Sequence, residues 1–362
     1  MNEGVYSFRD GCTNNQDDNQ NEPTSDVIMT ITDWEYFSAH HHDDDLFRKF
    51  KEKMRSAGAR KSFSTDFKYV ATLGRLEIPG YGNDQFDGPF DVTVSYNHHC
   101  ILVSDLNNDR IKVFDLKTKE YISSIQCISP MPKYLCIEEA YEGNTNDALL
   151  FDCDDGDAVY KYDLRRLLEY SLEEQRGEEP FDYIWKTTHT FLSAQGIAVC
   201  NHRKEVFVCD SESNCIAILN SISGDFIKRI EIDSPRGVFI NSHGELLVTQ
   251  KHPLNRIEIL KRTENEEWTR VTTFGKYGKL VGELNNSLKL LFDEVSKNII
   301  VSDGWNHRIQ VFKHDGTVVT SYGTYGSAYV NQFKYPCGIC LNEMEGELYV
   351  CDYSVHVVHI FK

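Results

Sequence analysis

Nothing in this chain approaches the roughly 18 uninterrupted apolar residues that a membrane-spanning helix requires. Its first residues, Met1-Asn-Glu-Gly-Val-Tyr-Ser-Phe-Arg-Asp10, offer neither the basic nor the apolar region of a secretory leader. Gly-x-Ser-x-Gly and Gly-x-x-x-x-Gly-Lys-Ser/Thr are both absent, which removes the strand-to-helix nucleophile turn and the phosphate-cradling loop. Cys337-Gly-Ile-Cys340 has the spacing of two zinc ligands, but no second pair accompanies it to complete a four-ligand site. Positive charge is scarce as well. Against 56 Asp and Glu stand 38 Lys and Arg, a net charge of −18. Such acidity opposes the phosphate neutralisation that supplies most nucleic-acid affinity.

What is present is repetition. Ile101-Leu-Val-Ser-Asp105 runs on through four residues to Arg110-Ile-Lys-Val-Phe114, and Ile299-Ile-Val-Ser-Asp303 through four to Arg308-Ile-Gln-Val-Phe312. Each is an apolar strand, an Asp, a short turn and a second strand, a hairpin written twice. Drifted copies lie at Val206–Asp210, Leu246–Gln250 and Leu348–Asp352, and a degenerate one at Leu149–Asp152. The markers Asp105, Asp152, Asp210, Gln250, Asp303 and Asp352 are spaced by roughly 47, 58, 40, 53 and 49 residues. That period suits a four-stranded propeller blade and exceeds that of a two-helix repeat. Short β-branched and aromatic strands between turn residues mean antiparallel sheet. The reading is all-β, a six-bladed propeller.

The ends of the repeat region predict closure. The last copy stops at its third strand, Val358 to Phe361. Tyr69-Val-Ala-Thr-Leu-Gly74 matches the outer strand Val318-Val-Thr-Ser-Tyr-Gly323, and both precede a Gln-Phe-x-x-Pro. The N-terminal strand is therefore expected to complete the final blade and remove its exposed edge.

The Asp-x-x-Asn-x-Arg-Ile-x-Val-Phe hairpin and the downstream Pro-x-Gly-Ile resemble the NHL-repeat propellers, as in the propeller domains of RING/TRIM-NHL type ubiquitin ligases. The likeness spans about residues 67–362. It weakens in the second unit, and in the fourth, where Gln250 replaces Asp. It implies the fold but leaves function open, because relatives include protein-binding modules, ubiquitin-ligase substrate receptors, RNA binders and a few enzymes. The zinc-bearing RING of many such ligases is absent from this chain.

Residues 1–65 read as an acidic, disordered tail, since Asn14 to Glu22 is too poor in apolar groups to offset chain entropy. Leu46, Phe47, Phe50 and Met54 predict a short helix at about 44–55. A helical insertion is expected over 164–186, after the third strand of the second blade. Of the 11 cysteines, those in strand contexts such as Val208-Cys209-Asp210 occupy the slot that Ser104 and Ser302 hold elsewhere. They predict a reduced, cytoplasmic protein. His40-His-His-Asp-Asp-Asp45 cannot preorganise a metal shell in a flexible tail.

Function then rests on what differs between blades. The repeated Asp and Arg read as structural, the Asp capping its own turn and the Arg pairing with it. The candidate inner strands carry almost no carboxylates, so no catalytic residue, metal or cofactor is expected. The candidate binding face is formed by the turns, through Asn107, Asn108, Arg110, Lys251, His252, Arg256, Trp305, His307, Arg308, Tyr353 and His356. Trp305 either packs on the adjacent blade or lies open as an interface aromatic. The expected role is a monomeric scaffold for a protein or peptide partner, without nucleic acid or membrane, which delivers that partner to ubiquitination machinery on another chain. Two alternatives remain. A propeller enzyme, a metal-dependent lyase or lactonase-like protein, would have His252, His307 and His356 converge. An RNA-binding propeller would use Arg110, Arg256 and Arg308.

Overall fold

The computed structural model describes residues 60–127, 131–141, 146–153, 158–172 and 182–362. The acidic stretch and the helix expected at 44–55 lie outside the described residues. The described chain forms six four-stranded antiparallel sheets. Blade I comprises Pro89–Ser95, Cys100–Asp105, Arg110–Asp115 and Tyr121–Gln126, from the channel outward. Blades II to V follow over 132–186, 194–231, 235–274 and 287–322. Blade VI is built from Pro336–Asn342, Glu347–Asp352 and Val357–Phe361, and its fourth strand is Tyr69–Leu73. The first strand of every blade contacts the first strands of both neighbours, so the ring is closed.

A single blade cannot bury both faces of its sheet, and the apolar residues divide accordingly into six clusters. Each cluster lies between two successive blades, the seam between VI and I included. Inner strands approach so closely that side chains are excluded at some points. A Cβ at Gly237 would stand 2.5 Å from the Leu288 carbonyl of the next blade, and one at Gly338 only 2.4 Å from the Cα of Asp91.

In each of five blades, the Asp at or next to the end of the second strand accepts a backbone N–H from the residue 18 positions earlier. In blades I, III, V and VI the donor lies on the crossover that leads into the same blade, and in blade II it is Tyr134 of the inner strand. No side-chain cap closes the turns that follow Asp105, Asp303 and Asp352. The expected self-capping is kept in blade III, where Asp210 accepts the Ser213 N–H at 3.4 Å, and a longer clasp is added to it, in which the carboxylate ties crossover to turn. Gln250, at the same place in blade IV, donates to the Asp233 carbonyl instead, at 2.6 Å.

Two boundaries shift. Residues 60–65 belong to the ring: Phe63 is 3% exposed, its N–H donates to Asp293, and Phe67 stacks on Tyr322 with centroids 4.3 Å apart. The insertion holds a helix, α1, over Leu164–Leu172, whose Leu164 and Leu167 are buried. Trp185–Lys186, expected within the insertion, is instead the outer strand of blade II.

Closure yields two predictions. Deleting residues 1–59 is expected to leave the melting temperature unchanged. Deleting 1–75 removes Phe63, Phe67 and the closing strand, and should lower it and promote aggregation; burial of one such Phe alone is worth about 3–5 kcal/mol. Thermal melts and light scattering of the two truncations compare them directly, and matching stabilities would remove closure as a stabilising element.

Acid should loosen the same blade. His359 is buried beside the closing strand, its Nδ1 3.4 Å from Thr72 Oγ1, and burial pushes its imidazole down to about 4. Between that value and the ordinary pKa near 6.5, the unfolded chain binds a proton that the folded chain refuses. The contribution is present above about 6.5 and lost as pH falls through about 4, at most roughly 3 kcal/mol. Denaturant unfolding at neutral pH and near pH 4 should show wild type losing more stability than His359→Gln. Equal losses in both proteins would free His359 from the acid response.

Candidate functional site

Each hairpin turn shares a face of the ring with the crossovers, because the clasp binds the two together. The turn closes with a left-handed residue, Asp109 in blade I, His307 in V and His356 in VI. Asn, Asp and His tolerate that conformation better than most side chains, which accounts for these histidines without invoking chemistry. The three candidate histidines do not converge. His307 Nδ1 meets the Lys334 carbonyl at 2.7 Å, His356 Nδ1 accepts the Gly88 N–H at 3.1 Å, and His252 lies edge-on to Tyr277.

Two of the hairpin arginines are buried beneath the candidate face. Arg110 and Arg308 are 2% and 7% exposed and pair with Asp105 and Asp303 at 2.7 and 2.8 Å. Their remaining N–H groups go to crossover carbonyls, of Tyr81, Gly82 and Gln85 for Arg110 and of Lys279, Leu280 and Glu283 for Arg308. Asn108 is likewise engaged with Gly80 and Asp105. These side chains hold the loops. Arg256 is half-buried and shared between Gln250 and Glu258, and Lys251 pairs with Glu212. Asn107 and Tyr353 do come together, the amide 3.3 Å from the phenol oxygen. Trp305 lies open, 56% exposed.

Sequence reasoning missed the mouth of the central channel. Every inner strand carries a register shift between its first and fourth residues. Such a bulge lifts the second and third residues out of the ladder and re-aims them. At the third position stand Asp91, Tyr134, Gly196, Gly237, Lys289 and Gly338, in blade order. Lys289 of blade V reaches Asp91 of blade I with Nζ 2.5 and 2.7 Å from the two carboxylate oxygens. Blade VI stands between them, and its Gly338 has no side chain to collide with Asp91 Oδ1. Burial pulls the Lys289 ammonium down, but Asp91 outweighs it and lifts its pKa above the usual lysine value. The N–H groups of Val92 and Leu135 add to the donors on Asp91.

Arg236, the second residue of blade IV's inner strand, lies above this pair toward the turn face. Its guanidinium bonds Asn286 Oδ1, and Asn286 Nδ2 donates to the Tyr335 hydroxyl at 2.8 Å. Burial opposes the charge on Arg236, and Tyr134 and Tyr335 more than offset it, holding its pKa above the ordinary value. Tyr134 also contacts Gln195, and Tyr353 continues the ring toward Phe90. Residues of all six blades thus meet at one opening. The signal in the sequence was the residue between Pro and Gly: Pro235-Arg-Gly237 against Pro336-Cys-Gly338.

Among the described residues, no three His, Cys, Asp or Glu side chains are grouped to hold a metal ion. Cys337 is buried against the Pro89 and Cys351 carbonyls, and burial pushes the Cys340 thiol up to about 12. A cavity of about 450 Å³ opens elsewhere, on the outer flank of blade III between His189, Phe226, Lys228 and Arg229. No described helix is long and apolar enough to cross a membrane.

No family model matches the chain, and no curated protein matches its sequence. Solved structures do match its shape. An auxiliary nutrient binding protein from Bacteroides ovatus superposes with a TM-score of 0.60 at 11% identity, over 82% of this chain and 77% of that one. A protein of unknown function from Bacteroides thetaiotaomicron gives 0.59 at 13%, over 81% and 75%. The WD40 propeller domain of Doa1 gives 0.53 at 12%, over 83% and 97%. Identities this low carry the fold alone, and that fold is the β-propeller.

Proposed function

We propose that the chain is a non-catalytic scaffold that holds a protein or peptide partner on its turn-bearing face. The observation that carries this reading is an arc of exposed apolar side chains on three successive crossovers. Tyr277 and Leu280 stand on the crossover into blade V, Tyr325 and Tyr329 on that into VI, and Ile78 and Tyr81 on that into I. Trp305 joins the first two, its N–H bonded to Asn285 while the neighbouring His307 packs on Tyr325. The second and third are tied by Glu77, which accepts from Ser327 at 2.7 Å and pairs with Lys334. A contiguous apolar surface of this kind marks an interaction site, and exposed Trp and Tyr are the side chains that dominate interfaces. The burial of Arg110 and Arg308 removes two of the three cations an RNA-binding face would use. Delivery of the partner to ubiquitination machinery on another chain is the finer role, supported by the NHL resemblance.

Trp305→Ala tests the reading. Capture with the ring as bait should yield partners that the variant loses, and for a purified partner the affinity should fall by roughly 2 kcal/mol or more. The melting temperature should stay unchanged, because Trp305 is mostly exposed and joins none of the core clusters. Undiminished binding by a well-folded Trp305→Ala protein would move the recognition face elsewhere.

A further inference from the structure

We infer that the channel mouth is a carboxylate-binding site, with Arg236 as the residue that takes the anion. This deepens the scaffold reading, since the mouth opens on the same face, but it stands on a separate observation.

Arg236 is a half-buried cation whose guanidinium no carboxylate pairs with among the described residues, although acidic residues outnumber basic ones by 18 in this chain. The Nε is buried and makes no hydrogen bond, and the groups that hold the guanidinium are the neutral amide of Asn286 and the hydroxyls of Tyr134 and Tyr335. The tyrosines beside it supply no negative charge. Burial raises the phenol pKa of both Tyr134 and Tyr335, so they are neutral hydroxyls at physiological pH. Asp91 in the channel is already neutralised by Lys289. Every other deeply placed arginine of the ring has its carboxylate: Arg110 has Asp105 and Arg308 has Asp303. A guanidinium held only by neutral groups keeps its full positive charge, which a ligand anion can pair with through charge-assisted hydrogen bonds.

The donor set selects the anion. One fixed cation is surrounded by neutral hydroxyls and amides from Tyr134, Tyr335, Asn286 and Gln195, converging from blades II, VI, V and III. A single positive charge matches a monoanion, and the planar fork of Arg matches the two oxygens of a carboxylate. A phosphate dianion would call for a second cation. On the partner, the carboxylate belongs either to a chain terminus or to an Asp or Glu side chain.

The experiment follows the arginine Nε–H resonances of protein labelled with ¹⁵N-arginine, with the Arg236 signal assigned by its loss in Arg236→Lys. Four probes are titrated: acetyl-triglycine, its C-terminal amide, acetyl-Gly-Glu-Gly-amide and inorganic phosphate. A saturable shift of the Arg236 signal with at least one carboxylate peptide, and none with the neutral amide, is expected in the millimolar range. The peptide that binds more tightly identifies the source as terminus or side chain. Arg236→Gln, checked for an unchanged fold by its melt, should abolish saturable binding in calorimetry. Equal responses to acid and amide, no response at tens of millimolar, or phosphate binding more tightly than either carboxylate would overturn the assignment. Such a failure leaves the Trp305→Ala outcome untouched, and a failure at Trp305 leaves this one untouched.

Discussion

The carboxylate clasp is the interaction on which the other features of the ring depend. One buried Asp in each of blades I, III, V and VI ties the crossover 18 residues upstream to the end of the second strand. The crossover delivers the inner strand to the channel, and the second strand delivers the turn to the surface. Fixing one against the other therefore sets both the channel mouth and the face. Where Arg follows, as at Arg110 and Arg308, three further carbonyls of the crossover are bound by the same guanidinium that neutralises the Asp. A buried charge pair is weak evidence for stability by itself, because desolvation offsets much of the attraction. Its value here is positional: it replaces lost hydration with hydrogen bonds that specify one loop conformation.

That has a consequence for binding. A loop that must order itself on contact spends part of its interaction energy on conformational entropy. The crossovers that carry Tyr81 and Leu280 are already held from below, through Tyr81 O and Leu280 O bonded to Arg110 and Arg308. Their side chains remain outside while their backbones are fixed. The surface is thus preorganised from beneath, with Arg110 and Arg308 in its support.

The blades, their order and the closing strand were legible in the sequence because they are repeated, and repetition survives drift. The clasp was half legible. Asp105 and Arg110 were recognised as a structural pair, but the partner of Asp105 at Asp87 lies beyond local reach, and a self-cap is the nearest local explanation. Trp305 was visible as a deviation, whereas its exposure was decided by packing alone. Phe63 and Phe67 were hidden in a segment whose composition is polar, and only the groove between blades V and VI gives them a place. The channel mouth was illegible for a different reason. Arg236, Tyr134, Asn286 and Tyr335 come from four blades, and no spacing along the chain announces that a ring brings them together.

The two deviations in the channel differ in kind. Asp91 and Lys289 break the small-residue pattern of the inner strands in a complementary way, one acid and one base, at blades whose separation Gly338 allows them to span. Each accounts for the presence of the other, so the pair closes on itself and needs no ligand. Arg236 has no such acid among the described residues: the groups that hold its guanidinium, Asn286, Tyr134 and Tyr335, are neutral. The register that places it serves a Cys as well, as Cys337 shows at the equivalent position of blade VI, so the fold does not require a cation at that point. A charge that the described ring does not neutralise, and that residues of all six blades help to surround, is what an anion from outside would meet.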